Sequence, residues 1–168
     1  VQDYLTLMQA TAEPKIPGTT YFPNTYYDFC SLARTWGGDD LSQDGKKFTF
    51  ATDPKSVEAA QWATDLHTKY KVAPNRTDAQ AVQFPAGQAA TTTTGTYAVL
   101  GLGKTIADKF KYGSVLFPKG PTGIRGYQGF VENFAIYSKS KQPELAYSLI
   151  MTETSKEAGI WSVINNAY

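Results

Sequence analysis

An α/β class follows from two observations. Helical apolar stripes alternate along the chain with short runs of strand-like pattern, and proline or glycine punctuates nearly every boundary. No internal repeat or linker divides the 168 residues, so one domain is expected. With 42% hydrophobic and 18% charged residues, the chain can bury a core and is not expected to be disordered.

The elements read in order. Residues 3–10 carry a short helical pattern, and a polar connector bearing proline leads to Gly18. Six aromatics, Tyr21, Phe22, Tyr26, Tyr27, Phe29 and Trp36, follow in a polar setting. Asn24 is placed to cap a helix running to about Arg34, which Gly37-Gly38 then stops. Gln43-Asp44-Gly45-Lys46 is a hairpin-type turn before an alternating strand over 48–50. Asp53-Pro54 combines an N-cap with an N1 proline and starts a helix to about Tyr70. Ala59, Trp62, Ala63, Leu66 and Tyr70 form its apolar stripe. Helices are expected over 78–87 and 96–110, and strands over 89–94, 112–117 and 134–137. Pro143 opens a further helix, and Thr154-Ser155-Lys156-Glu157 matches a capping box for the last one.

Composition excludes several functions. Sixteen basic against fifteen acidic residues leave a net charge of +1, which argues against a nucleic-acid binder relying on counterion release. No apolar run approaches the roughly 20 residues of a membrane span. Cys30 is the single cysteine, so an intrachain disulfide and a multi-cysteine zinc site are excluded. His67 is the single histidine, which removes most histidine-based catalytic and metal constellations. No metal or cofactor is expected, and the case for an enzyme is weak. The chain opens on Val1-Gln2-Asp3 without a leader pattern and stops after an apolar helix, so a processed chain or a piece of a longer one is expected.

Most chemical motifs have bland readings. Ala98-Val99-Leu100-Gly101-Leu102-Gly103-Lys104-Thr105 ends like a phosphate-binding loop, but its first glycine is replaced by Ala98 and its context is helical. Helix surface is the better reading. His67 is expected on a solvated helix face, and Cys30 as a small packed hydrophobe. Asn75-Arg76-Thr77 is a sequon that matters only in a eukaryotic secretory pathway. Asp39-Asp40 and Glu132 are candidate acid/base residues that read better as turn or ligand-binding groups. Trp62, Phe48, Phe50, Leu149 and Trp161 are expected in the core. Trp36 and Tyr97 lie at element termini, where clefts form, and core packing and ligand contact stay open for both. Aromatic faces suit sugars, whose C–H groups pack on rings while polar neighbours take the hydroxyls.

A longer pattern is carried by Trp36-Gly37-Gly38-Asp39, Asp44-Gly45-Lys46-Lys47-Phe48-Thr49-Phe50, Asp53-Pro54 and Lys69-Tyr70-Lys71-Val72-Ala73-Pro74. Phe84-Pro85-Ala86-Gly87-Gln88-Ala89-Ala90, Gly95-Thr96-Tyr97, Phe117-Pro118-Lys119-Gly120-Pro121 and the helix from Pro143 continue it in order. From about residue 19 to 168 this series resembles the carbohydrate-specific solute-binding proteins of bacterial ABC importers, the maltose-binding-protein-like group. The resemblance implies a periplasmic-binding-protein-like fold of type II, in which this chain is most of the C-terminal lobe, a short mixed sheet flanked by helices. Such proteins close two lobes on a sugar and deliver it to membrane permease subunits, without catalysis. The resemblance also implies a monomeric, extracytoplasmic lipoprotein, periplasmic or on the cell surface. Tyr97 matches the family's sugar-stacking aromatic after the glycine at Gly95. Trp36, Tyr26, Tyr27, Glu132 and Asn133 fall in segments near the cleft. Thr91 departs from the family, which usually has methionine there. A nucleotide-hydrolysing enzyme and a standalone lectin-like or protein-interaction domain remain as alternatives.

Overall fold

The structure is a computed structural model that describes all residues except 14, 15, 22, 24, 76–81, 128, 130–132 and 166–168. It divides into two compact units: Val1–Thr93 with Asp108–Gln128, and Thr94–Ala107 with Gly129–Tyr168.

The first unit is built on three helices, α1 (Gln2–Thr11), α2 (Tyr26–Thr35) and α3 (Pro54–Thr68). Local chemistry sets their ends. Asp53 accepts from the Ser56 N–H and Pro54 occupies the first turn, so α3 starts where its cap predicts. The expected cap Asn24 lies outside the described residues, and α2 is capped one residue later. Thr25 accepts from the Asp28 N–H while the Asp28 carboxylate accepts from the Thr25 N–H, a reciprocal box. At the other end, Gly37 takes φ +84°. Its N–H donates to the Arg34 carbonyl, and that of Gly38 to the Ala33 carbonyl, both at 2.9 Å. This is a Schellman ending, which needs a residue without Cβ strain at Gly37.

Two buried clusters share their borders. One gathers Leu5 and Met8 of α1, Tyr21, Leu66 of α3, Val72 and Ala73. The other sets Leu32 and Trp36 against Ala59 and Ala63 of α3. Ala59 and Ala63 are one turn apart, so together they leave a flat strip for the large side chains of α2. Trp62 and Phe117 pack against both clusters. Threonine hydroxyls join the connectors. Thr91 donates to the Gly18 carbonyl at 2.8 Å and lies 3.2 Å from the Tyr4 hydroxyl. The family's methionine position is thus a polar tie here. His67 is half-buried with Nδ1 3.2 Å from the Ala73 carbonyl, not on a fully solvated face. Cys30 is buried as expected.

In the second unit, a 3₁₀ turn (Thr96–Ala98) leads into α4 (Val99–Ile106), followed later by α5 (Pro143–Glu153) and α6 (Lys156–Asn165). The expected helix over 96–110 ends early, because Ala107 turns to φ +47°. Gly101, Gly103 and Lys104 lie within α4, so the loop a nucleotide phosphate requires is absent there. The last helix is capped by Ser155, whose Oγ accepts from the Ala158 N–H at 3.1 Å, and not by Thr154. Thr154 closes α5 instead. Leu149 and Trp161 are exposed, against the core role expected of them. Apolar residues occupy most of the circumference of α5 (Leu145, Ala146, Tyr147, Leu149, Ile150 and Met151), so one packed side cannot cover them all.

Among the described residues no strand ladder forms. The only pairings are single bridges, Glu13 with Ile16 and Leu41 with Phe48. The short mixed sheet is therefore not seen, and the segments 48–50, 89–94, 112–117 and 134–137 are extended, bent or turn-like. Strand propensity records how well side chains fit a pleated surface, but a strand exists only where a neighbour takes its main-chain groups. The stretch from Ala90 receives two such bonds, from Ala90 to Pro17 and from Thr20 to Thr91, too few for a ladder. The helix expected over 78–87 lies partly outside the described residues, and its described end is a 3₁₀ turn (Phe84–Ala86).

Trp36→Ala should cost about 3–5 kcal/mol, the range for emptying a large buried aromatic site, read from urea unfolding. A stability within about 0.5 kcal/mol of wild type would show that Trp36 is not a core residue.

Candidate functional site

The N-terminus of α2 presents an aromatic surface. The Thr25 box fixes the first turn, which sets Tyr26 and Tyr27 at the opening of the helix, ahead of the buried positions Cys30, Leu32 and Ala33. The Tyr26 ring lies 5.8 Å from that of Tyr27, 6.1 Å from Phe48 and 6.3 Å from Phe50. Phe48 and Phe50 are stacked at 6.0 Å. Phe29 meets Phe50 edge-on at 6.0 Å. Tyr26 and Tyr27 are about half exposed and Phe48 is 60% exposed. Phe48 is thus a surface ring, not the core residue its alternating pattern suggested. The hairpin brings it there: the Ser42 N–H donates to the Lys47 carbonyl and the Thr49 N–H to the Asp40 carbonyl. Phe48 and Phe50 then flank Thr49 beside α2.

A polar network backs these rings. The Tyr26 hydroxyl donates to Asp40 Oδ2. Arg34 Nη2 donates to Asp40 Oδ1 at 2.8 Å and to Asp39 Oδ1 at 3.1 Å. Asp40 is buried with both oxygens engaged, so it is an anchor and not an acid/base group. The Tyr26 hydroxyl bond, supported by Asp39 and Arg34, holds its carboxyl below the usual carboxylate range. The same bond to Asp40 pushes the Tyr26 phenol above its ordinary value. Burial pushes the Cys30 thiol up. Among the described residues, no group of three His, Cys, Asp or Glu side chains gathers to hold a metal.

The second unit carries Gly95, Tyr97 and Asn133. The Ala98 N–H donates to the Gly95 carbonyl at 3.1 Å and closes the 3₁₀ turn. The Tyr97 ring folds back over Gly95, where an added Cβ would sit 2.7 Å from ring Cδ1. Glycine therefore leaves the space that sets this ring's orientation. Tyr97 is 69% exposed, and Asn133 is also exposed. Glu132 lies outside the described residues. A shallow groove on α5, lined by Leu145, Ala146 and Leu149 with Ser140 and Gln142, contains none of the expected site residues.

Trp36 belongs elsewhere. It is 5% exposed, with its indole 5.2 Å from that of Trp62. Of its two open readings, the structure gives core packing, because its position as the C-cap of α2 turns the ring onto α3. The structure brings Tyr26 and Tyr27 together and sets Gly95 beside Tyr97 in the other unit. Sequence reasoning missed Phe48 and the anchoring of Tyr26 by Asp40. The turn-then-alternation at Asp44–Phe50 was the available signal for the first. Chemically, the surface offers flat π faces with Arg34 and Asp39 at an exposed edge, suited to a ligand with both C–H faces and hydroxyls.

Comparison with known proteins places these features in context. Residues 1–160 match the model of a family described as bacterial extracellular solute-binding protein. No protein among the curated sequences matches. In structure, the chain is similar to maltose-bound MalE3 of T. maritima, with a TM-score of 0.68 and 24% identity. That likeness covers 98% of this chain and 45% of the other, so the chain spans less than half the length of that relative. It supports a periplasmic-binding-protein-like fold.

The Asp40 anchor predicts an acid response. A carboxyl whose folded pKa is depressed adds stability above its unfolded value of about 3.9, and that stability is lost as pH falls through the lower folded value. Thermal melts of wild type should therefore weaken below about pH 4, and Asp40→Asn should flatten that part of the profile. Identical acid profiles for both proteins would remove Asp40 from the account.

Proposed function

This chain belongs to the bacterial extracellular solute-binding protein family, and on that premise we propose that it forms most of the C-terminal lobe of a two-lobe sugar receptor. The receptor captures a sugar or oligosaccharide reversibly between its lobes and hands it to the permease subunits of an ABC importer. No bond is made or broken. The family is extracellular by description, and the chain works outside the cytoplasm. Attachment of the parent protein to the membrane as a lipoprotein, and its action as a monomer, are parts of the same proposal.

The observation that carries the sugar reading is the set of solvent-facing tyrosine rings in a chain of this family. Tyr97 offers a face oriented by Gly95, and Tyr26 and Tyr27 offer another surface backed by Asp40 and Arg34. Sugars stack their C–H faces on such rings while charged side chains at the edge take hydroxyls. Asn133 and Glu132 belong to the proposed site through the family resemblance. Trp36 does not, because its ring is committed to Trp62. The fold likeness to a maltose-bound protein agrees with a saccharide ligand.

Calorimetry tests this reading at two levels. One lobe supplies about half of a cleft ligand's contacts, whereas sites that hold small ligands well bury 70–90% of them. Halving a micromolar interaction of about −8 kcal/mol leaves about −4, so this chain alone should bind sugar only near millimolar. Micromolar binding by the lone chain would favour a standalone lectin-like domain. In the two-lobe protein, Tyr97→Ala should weaken sugar binding by about 1–3 kcal/mol, the cost of losing a large buried aromatic contact. Unchanged affinity would remove Tyr97 from the site.

A further inference from the structure

We propose that Ala107 is a strained joint at which α4 holds a second, longer form in reserve, a helix continued by one turn through Phe110. The inference concerns how the chain passes from one unit to the other and is independent of the sugar reading. Ala107 is the last residue of its segment of the second unit, and Asp108 resumes the first. In the short form a turn joins them, and in the long form a continuous helix does.

Two observations carry it, and the first is the break itself. The sequence predicts a helix over 96–110, and Ala107, Asp108 and Lys109 offer neither glycine nor proline to stop it. The helix nevertheless ends at Ile106. Ala107 takes φ +47° with ψ −121°, far from the ψ of about +47° at which an L-residue rests in the left-handed well. Only glycine holds such a conformation without strain, and strain of this kind persists where the surrounding structure fixes both sides. Ala107, Asp108 and Lys109 are all exposed, so no burial of theirs explains the break.

The second observation is what fixes the two sides. Ile106, just before the joint, is fully buried. Beyond it, Phe110 stands edge-on to Phe84 with centroids 5.5 Å apart, and Tyr112 meets both rings at 6.5 Å. Phe84 itself belongs to the 3₁₀ turn Phe84–Ala86. The ring trio thus seats Phe110, and the chain between two fixed side chains takes up the difference at Ala107. Once Phe110 leaves this seat, helical geometry offers the N–H groups of Asp108, Lys109 and Phe110 the carbonyls of Lys104, Thr105 and Ile106. Alanine and lysine favour helix, so local preference and relief of strain act in the same direction. Phe84 is a positioning residue in this arrangement, holding α4 at its shorter length.

Thermal melts and amide hydrogen exchange of this chain test the joint. Ala107→Gly should raise the melting temperature by about 2–4 °C, because glycine accepts positive φ. At an unstrained helical position the same change lowers it. Phe84→Leu keeps an apolar group but releases Phe110, and it should slow exchange at Asp108, Lys109 and Phe110 about fivefold as α4 lengthens. A contact merely lost speeds exchange instead. Phe110→Leu releases the seat from the other side and takes the place of Phe84→Leu if that variant does not fold. A melting temperature that Ala107→Gly does not raise would overturn the strain. Unchanged or faster exchange in the folded release variant would overturn the longer helix, and either result defeats the proposal.

Discussion

The seat of Trp36 on α3 is the constraint on which the first unit depends. Its backbone ends α2, and its indole lies against Trp62 and the flat strip made by Ala59 and Ala63. Because Trp62 and Phe117 touch both buried clusters, this one contact couples α2 to the packing of α1 and α3. The neighbouring Thr35 adds a polar clamp, donating to the Ser31 carbonyl and accepting from the Gly126 N–H, both at 2.9 Å. The C-terminal turn of α2 is therefore held by apolar packing on one side and by hydrogen bonds on the other.

A rigid C-terminal turn has a consequence at the other end of the helix. A helix fixed on α3 carries its first turn with it, and the Thr25 box then sets where Tyr26 and Tyr27 emerge. The hairpin after Gly38 returns the chain so that Phe48 and Phe50 meet Tyr26, while Arg34 and Asp40 tie helix to hairpin. Buried core and exposed aromatic surface are thus two ends of one element. The division of labour between its aromatics follows: Trp36 stabilises, and Tyr26 and Tyr27 face outward.

Helix starts and stops were the most legible part of the sequence, because caps are local chemistry. Asp53-Pro54 and Gly37-Gly38 act where they were expected to. Where two capping residues stand side by side, sequence alone chose the wrong one, as with Ser155 against Thr154. The strands were not legible, since the strand-like runs at 112–117 and 89–94 specify side-chain placement and not a pairing partner. Burial was the least legible. Trp36 and Phe48 are both aromatic and both near turns, yet one is buried and the other exposed. What separates them is the helix each one meets, which spacing along the chain does not encode. Of the expected site residues, Tyr26, Tyr27 and Gly95 were named through resemblance to a family, and Tyr97 also from its place at an element terminus. Asp40 becomes visible only when the hairpin sets it beside Tyr26.

The central claim is that the tyrosine faces, and not Trp36, meet the ligand. A crystal structure of the two-lobe protein with a bound oligosaccharide tests it most directly. The account predicts sugar stacked on an exposed tyrosine face, that of Tyr97 or that of the Tyr26–Tyr27 surface, with Trp36 still packed on Trp62. Sugar in contact with the Trp36 indole, or bound away from all three tyrosines, would contradict it.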